Sequence, residues 1–321
     1  MKFGILQFFS WPGRRTELAT VYQRGLERIQ IMDQNGYDAV WLTEHHFNDY
    51  SVCPSIPVIG TYAAARTKNI RIGAGVCLAG FYHPLRLAEE IALLDTLSGG
   101  RVNWGAGRGF DLKEFRAFGV PIEESHARFR ETVDIVLKAW TTDRLTYTGQ
   151  YFSFDNVEVL PKPLQQPHPP VWAAASSPSA IEWAASVGHS ILMDPHATHA
   201  ELGHKWELYR DTLARHGHAI EGRQIPMARL LAIASTSAEA AEVARQGAKW
   251  LVDTYVPPEM YGTGDPVQRY VDDVVIHGTP EQVGDELARL HEEIHLDYII
   301  GAPLSHESFL QFTDHVLPRM G

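Results

Sequence analysis

The stretch Asp38-Ala39-Val40-Trp41-Leu42-Thr43-Glu44-His45-His46-Phe47 decides the fold. After Asp38 its first half is apolar, with Val and Trp among four residues. That is the pattern of a short strand buried in a parallel sheet. The second half changes at once to Glu, two His and a Phe, with no Gly-Pro turn between. A buried strand that ends in titratable groups places them at the mouth of a sheet or barrel, where parallel α/β folds carry their chemistry.

Outward from this stretch the chain alternates short apolar runs with longer amphipathic ones. Strands are expected at Phe3–Phe8, Ala39–Leu42, Ile70–Val76, Arg101–Ala106, Val171–Ala175, Ser190–Met193, Met227–Ala234 and Leu296–Ile300. Helices are expected over Thr16–Asn35, Ile56–Arg66, Pro84–Leu97, Glu123–Trp140, Pro178–Val187, Ala200–His216, Ala238–Val252, Pro280–Ile294 and His306–Leu317. Leu145–Phe154, with Gly149 in its middle, reads as a β-hairpin insertion after the fourth helix. Pro161–Pro170 reads as a connector. Tyr255–Gly278 has little periodicity and carries Pro257-Pro258, so it reads as a functional or mobile loop after strand seven. Eight βα units in one chain is the count for an α/β fold of the (β/α)8 TIM-barrel type, a single domain over residues 1–321. An open doubly wound sheet is the alternative, because counting does not show closure.

Composition narrows the partners. The chain has 28 Lys and Arg against 39 Asp and Glu, a formal charge of −11, which speaks against nucleic acid or an anionic membrane. The apolar fraction of 45% is that of a globular protein with a full core. The two cysteines, Cys53 and Cys77, form no disulfide framework and suit a reducing, cytoplasmic setting. The apolar start from Phe3 to Phe9 is too short for a signal peptide, and no later run reaches the roughly 18 residues of a membrane span.

Polar groups follow the strands at five places: Glu44-His45-His46, Cys77 to Tyr82, Gly105-Ala106-Gly107-Arg108-Gly109, Ser176-Ser177 and Asp194-Pro195-His196. Any one alone reads more simply as an ordinary hydrogen-bonded strand end. Gathered at one rim they read as a site. His45 is the candidate general acid or base, since an imidazole titrates near neutral pH. In extended backbone His46 points the other way, so it is assigned to structure. The glycine run is GxGxG rather than GxGxxG, and Phe110-Asp111-Leu112-Lys113 does not clearly open a helix, so a Rossmann reading is weak. Glycines there suit a planar ring lying on the backbone, with Arg108 as an anion partner. Ser176-Ser177 before Pro178-Ser179 is either a phosphate seat or a plain N-cap. His196, His199 and His204 match no compact zinc spacing, and no catalytic metal is expected. Without a Gly-x-Ser-x-Gly elbow a serine hydrolase has no support.

Gly36-Tyr37-Asp38-Ala39-Val40-Trp41-Leu42, Glu44-His45-His46-Phe47, His83-Pro84-Leu85-Arg86-Leu87-Ala88-Glu89, Leu94-Asp95-Thr96-Leu97-Ser98-Gly99-Gly100-Arg101 and Gly278-Thr279-Pro280-Glu281 stand in that order along the chain. With them the sequence resembles the bacterial luciferase-like flavin monooxygenases nearly end to end. The resemblance implies a two-component enzyme. Reduced FMN comes from a separate reductase and reacts with O2 at the flavin C4a position, and the hydroperoxide oxygenates a small organic substrate.

By the same resemblance His45 is catalytic and Glu44 lines the flavin. Gly75 and Val76 pack under the ring across a cis peptide, and Arg108 and Ser177 contact the phosphate. Ser176 stands where the luciferase has a glutamate, and Gly107 where it has a reactive cysteine, which suggests more room beside the flavin and a different substrate. His126 replaces a second phosphate arginine, a role that Arg128 could take over. The family is usually dimeric, and an apolar face around Val58, Tyr62 and Ala88-Glu89-Glu90-Ile91 is compatible with a homodimer. Alternatives are a deazaflavin-dependent oxidoreductase of the same superfamily and a non-catalytic flavin-binding or partner subunit.

Overall fold

In the computed structural model, which describes residues 1–254, 256 and 264–320, Ala39 to Leu42 forms a strand with all four residues fully buried. The strands are β1 (Lys2–Gln7), β2 (Ala39–Leu42), β3 (Arg71–Ala74), β4 (Cys77–Leu78), β5 (Val102–Gly107), β6 (Leu145–Thr148), β7 (Ser153–Val157), β8 (Val171–Ala174), β9 (Ser190–Leu192), β10 (Pro226–Ile233), β11 (Val275–Gly278) and β12 (Tyr298–Pro303). The helices are α1 (Leu18–Gln34), α2 (Ile56–Arg66), α3 (Pro84–Leu97), α4 (Leu112–Phe118), α5 (Ser125–Thr141), α6 (Pro178–Ser186), α7 (His199–Arg215), α8 (Ser237–Thr254), α9 (Pro266–Arg269), α10 (Pro280–Ile294), α11 (His306–Gln311) and α12 (Leu317–Met320). Two compact units divide the chain: Gln7–Ala174, and Met1–Leu6 with Ala175–Gly321.

In the unit Gln7–Ala174, β2, β3, β5 and β8 pair in parallel, with Trp41 opposite Gly73, Ile72 opposite Val102, and Trp104 opposite Val171. The Trp41 indole fits because its neighbour is bare: a Cβ on Gly73 would lie 2.6 Å from the ring. Trp41 and Trp172 meet edge to face, as do Trp104 and Trp140, and Trp140 Nε1 donates to the Ala88 carbonyl. These large rings fill the space between sheet and helices. The antiparallel pair β6–β7 is the expected hairpin. Its turn is held by Glu131, whose carboxylate accepts the backbone N–H groups of Gln150, Tyr151 and Phe152.

In the other unit β1, β12, β10 and β11 pair in parallel, and Met193 just after β9 bridges to Met227 on β10. Arg229 on β10 is fully buried, and its guanidinium donates to the carbonyls of Ala197, Asp194 and Ala228.

Several expectations need correction. Two strands go beyond the eight. Strand Ile70–Val76 breaks after Ala74, where the Gly75–Val76 peptide is cis, and the chain resumes pairing with β5 as β4. Val275–Gly278, placed in the mobile loop, is instead β11, with Val275 and Ile276 buried against β10. The run was too short, and too close to Pro and Gly, to read as a strand. Residues 255 and 257–263 of that loop lie outside the described residues. Asp111 does open a helix, α4: its carboxylate caps Lys113 N–H, and Gly119, at φ +68°, ends it. The last helix is split at Phe312–Val316 by a π turn. Of the suggested dimer face, Ala88 and Ile91 are buried in their own unit; Val58 and Tyr62 are exposed, as are Leu93 and Leu97 on α3. Among the described residues no helix is long and apolar enough to cross a membrane.

Candidate active site

The chain leaves β2 through Thr43 and Glu44, both buried, then His45 and His46, and turns at Phe47 with φ +57°. Glu44 does not orient the adjacent His45. Its Oε1 lies 3.0 Å from Nε2 of His46, two residues on. Its other oxygen, Oε2, is buried and makes no close hydrogen bond among the described residues, though the Tyr82 hydroxyl and the Leu78 backbone N–H are directed at the carboxylate. Burial pushes the Glu44 carboxyl above the usual carboxylate range, and His46 opposes that shift. The His46 ring, assigned to structure, is therefore the immediate partner of a candidate site carboxylate.

His45 is held by other groups. Its N–H donates to the Cys53 carbonyl at 3.1 Å. Its ring meets Tyr50 edge to face at 5.2 Å and Phe110 at 6.5 Å. Nδ1 lies 3.5 Å from Oε1 of Glu114, a residue of α4 that is 2% exposed. The same oxygen accepts the His46 backbone N–H at 2.9 Å. In the sequence Glu114 sits among Lys113 and Arg116 and looks like part of a solvated face. A signal was present: Asp111 followed three residues later by Glu is a helix-start pattern. Its side chain, however, reaches His46 rather than its own cap.

Next to the end of β2, where the Gly75 N–H donates to the Leu42 carbonyl, Val76 leans on the bare backbone of β5. A Cβ on Gly107 would come within 2.2 Å of Val76 Cγ2, and one on Gly105 within 2.1 Å of the Ala74 carbonyl oxygen. The room expected at Gly107 is thus already filled by Val76. The result is a half-exposed apolar platform at Gly75 and Val76. Burial pushes the thiol of Cys53 up to about 12, and raises that of Cys77 well above its ordinary value, with Glu44 adding to both. Both stay neutral thiols.

Arg108 follows directly. It is half-buried, donates from Nη1 to Ser125 Oγ at 3.0 Å, and pairs with no carboxylate among the described residues. Burial lowers its pKa, and burial together with Arg108 and Arg130 keeps His126 below its ordinary value. This positive patch suits an anion. Arg128 is engaged elsewhere: Nε pairs with Glu124 at 2.8 Å, and the guanidinium covers the Tyr151 ring at 4.2 Å. In the other unit Ser177 caps α6, accepting from Ala180 N–H and lying 3.2 Å from Ser179 Oγ; Ser176 precedes it.

Residues 1–295 match the profile of the luciferase-like monooxygenase family. The chain belongs to that family. Its curated relatives are longer: it spans little more than half the length of those first matched. The oxygenase component of a flavin-dependent trigonelline monooxygenase from Acinetobacter baylyi is 30% identical over 61% of this chain and 54% of its own. The alkanal monooxygenase alpha chain of Photorhabdus luminescens is 29% identical over 80% of this chain and 70% of its own. Among solved structures, a monooxygenase from Streptomyces bottropensis superposes with a TM-score of 0.83 at 27% identity, covering 100% of both chains. Two more distant structures show the fold alone. One is the oxygenating constituent of 3,6-diketocamphane monooxygenase from Pseudomonas putida in complex with FMN (TM-score 0.83, 20% identity, 99% of this chain and 98% of that one). The other is the coenzyme F420-dependent tetrahydromethanopterin reductase of Methanopyrus kandleri (0.81, 19%, 100% and 99%). For a luciferase-like monooxygenase, the platform at Val76 and Arg108, which has no carboxylate partner among the described residues, fit a planar cofactor that ends in a phosphate.

Proposed function

We propose that this chain is the oxygenase component of a two-component monooxygenase, on the (β/α)8 barrel that the resemblance implies. It takes reduced FMN from a separate reductase and transfers one oxygen atom of O2 to a small organic substrate. The observation that carries the reading is the cluster in the unit Gln7–Ala174. A largely buried imidazole, 12% exposed, lies against a buried carboxylate, and the neighbouring strand ends carry an apolar platform and an arginine with no carboxylate partner among the described residues.

Bound reduced flavin supplies the electrons that activate O2. The chain's own residues do the rest. Val76, seated on Gly105 and Gly107, offers a flat apolar surface. Arg108 pairs with phosphate. Glu44, with one oxygen held by His46 and the Tyr82 hydroxyl and Leu78 backbone N–H also directed at its carboxylate, offers a buried acceptor for a ring N–H. Burial of Thr43, Glu44 and Tyr50 keeps water from the histidines. His45 gives or takes the proton that oxygen transfer requires. Ser176 and Ser177 keep their cofactor assignments from the resemblance, and Arg128 keeps its own only by leaving Glu124. The homodimer and the cytoplasmic location are kept as well.

The test couples the chain to a flavin reductase with NADH and FMN under ¹⁸O2, with a panel of aldehydes, ketones, sulfides and aromatics. One labelled oxygen in a product supports the reading. NADH-dependent reduction of a substrate without label, or tight binding of reduced deazaflavin in place of FMN, would replace it with a hydride-transfer oxidoreductase.

A further inference from the structure

Glu114, the buried carboxylate against His45, has no chemical role assigned so far, and its environment demands one. It is 2% exposed, and a buried carboxylate is costly unless it is paired. Oε1 receives the His46 backbone N–H at 2.9 Å and faces Nδ1 of His45 at 3.5 Å. The nearer carboxylate in sequence, Glu44, is committed to His46 Nε2. Two acids and two imidazoles are therefore sorted crosswise: Glu44 with the ring of His46, Glu114 with the ring of His45.

We propose that Glu114 is the positioning residue for His45. It holds the proton on Nδ1 and leaves Nε2 as the atom that gives or takes a proton. The proposal rests on His45 being the acid–base group of the monooxygenase. The chemistry is one-sided: an ionised carboxylate only accepts, so an imidazole nitrogen facing it carries the hydrogen. Neutral imidazole in water favours the opposite tautomer, with the proton on Nε2, so the carboxylate sets the outcome. A separation of 3.5 Å is longer than a closed hydrogen bond, and such contacts tighten when a catalytic complex forms. The local fold delivers the carboxylate to this point. Asp111 caps α4 and Gly119 ends it, so Glu114 lies in its first turn, directed at the chain leaving β2.

The experiment is ¹⁵N NMR of the full chain with labelled histidine, at about pH 8. Wild type should show His45 with a protonated Nδ1 and a bare Nε2. Glu114→Leu should move the proton to Nε2 and lower kcat at least tenfold, leaving FMN affinity within about threefold. Glu114→Asp, which keeps the charge, should restore the wild-type tautomer and most of the rate. A wild-type spectrum with the proton on Nε2 overturns the proposal, whether or not Glu114→Leu folds; so does an unchanged tautomer in the Leu variant. The tautomer is read without turnover. Failure to find labelled product would remove the oxygenase reading and leave this result standing or falling by itself.

Discussion

His46 Nε2 and Glu44 Oε1 lie 3.0 Å apart at the end of β2, with the second Glu44 oxygen buried and making no close hydrogen bond among the described residues. Burial raises the Glu44 pKa above its ordinary 4.5 in the folded chain. The folded state thus holds this proton more tightly than the unfolded one. The associated stability is present in full below about 4.5, and is lost as pH rises through the folded value. Glu44→Gln removes the titration. Urea unfolding from pH 4.5 upward should show wild type losing stability relative to the variant; parallel curves would mean that Glu44 is not strained by its burial.

Gly107→Ala should be destabilised by about 1–3 kcal/mol, because the new methyl falls 2.2 Å from Val76 Cγ2. The clash is with a branched side chain on a short stem, not with the end of a flexible one. Val76→Ala made in the same chain should recover much of that loss. A double-mutant cycle by urea denaturation checks it: additive effects would show that the two residues do not press on each other.

The parts of this architecture that the sequence displayed were those set by local rules. Ile56–Arg66 and Pro84–Leu97 match their helices to the residue, because Pro at N1 or N2 and a cap at Ser55 mark the starts. β2 was legible because a run buried on both faces needs no alternation. What stayed hidden depended on contacts between distant segments. Glu114 looks like one charge among several until the end of β2 is set beside it. The break between β3 and β4 falls at the Gly75–Val76 cis peptide, which side-chain periodicity does not encode and only the family resemblance implied. β11 is a strand because β10 offers it a free edge, and Pro257-Pro258 upstream drew the reading toward a loop.

Arg108→Gln should weaken FMN binding about tenfold or more, while riboflavin, which has no phosphate, binds as before. Fluorescence titration of the two flavins separates them. Equal losses for both would place the phosphate away from Arg108.

His45→Ala should lower oxygen transfer by about 10²–10⁴-fold, with FMN affinity within a few-fold of wild type. Single-turnover product formation is the measure. An unchanged rate would take the acid–base role away from this imidazole.

His199, at the start of α7, should make the protein acid-sensitive. Its Nε2 is buried without a hydrogen-bond partner among the described residues, and Nδ1 is 3.7 Å from Glu286. Burial first, then the charge of Arg229, brings its pKa from 6.5 down to about 4, with Glu286 pushing the other way. The folded chain therefore refuses a proton that the unfolded chain accepts. Stability is complete above about 6.5 and is lost as pH falls toward 4. At about 1.4 kcal/mol per pH unit, the loss across that window is at most about 3.5 kcal/mol. His199→Gln has nothing to protonate there. Its urea midpoint should change less than that of wild type between pH 7 and pH 4.5, whatever the variant costs at neutral pH. Because Arg229 is itself fully buried and held by four backbone carbonyls, its charge cannot move away to relieve the ring. If both proteins lose stability equally on acidification, the acid sensitivity belongs to other groups and His199 is not held neutral.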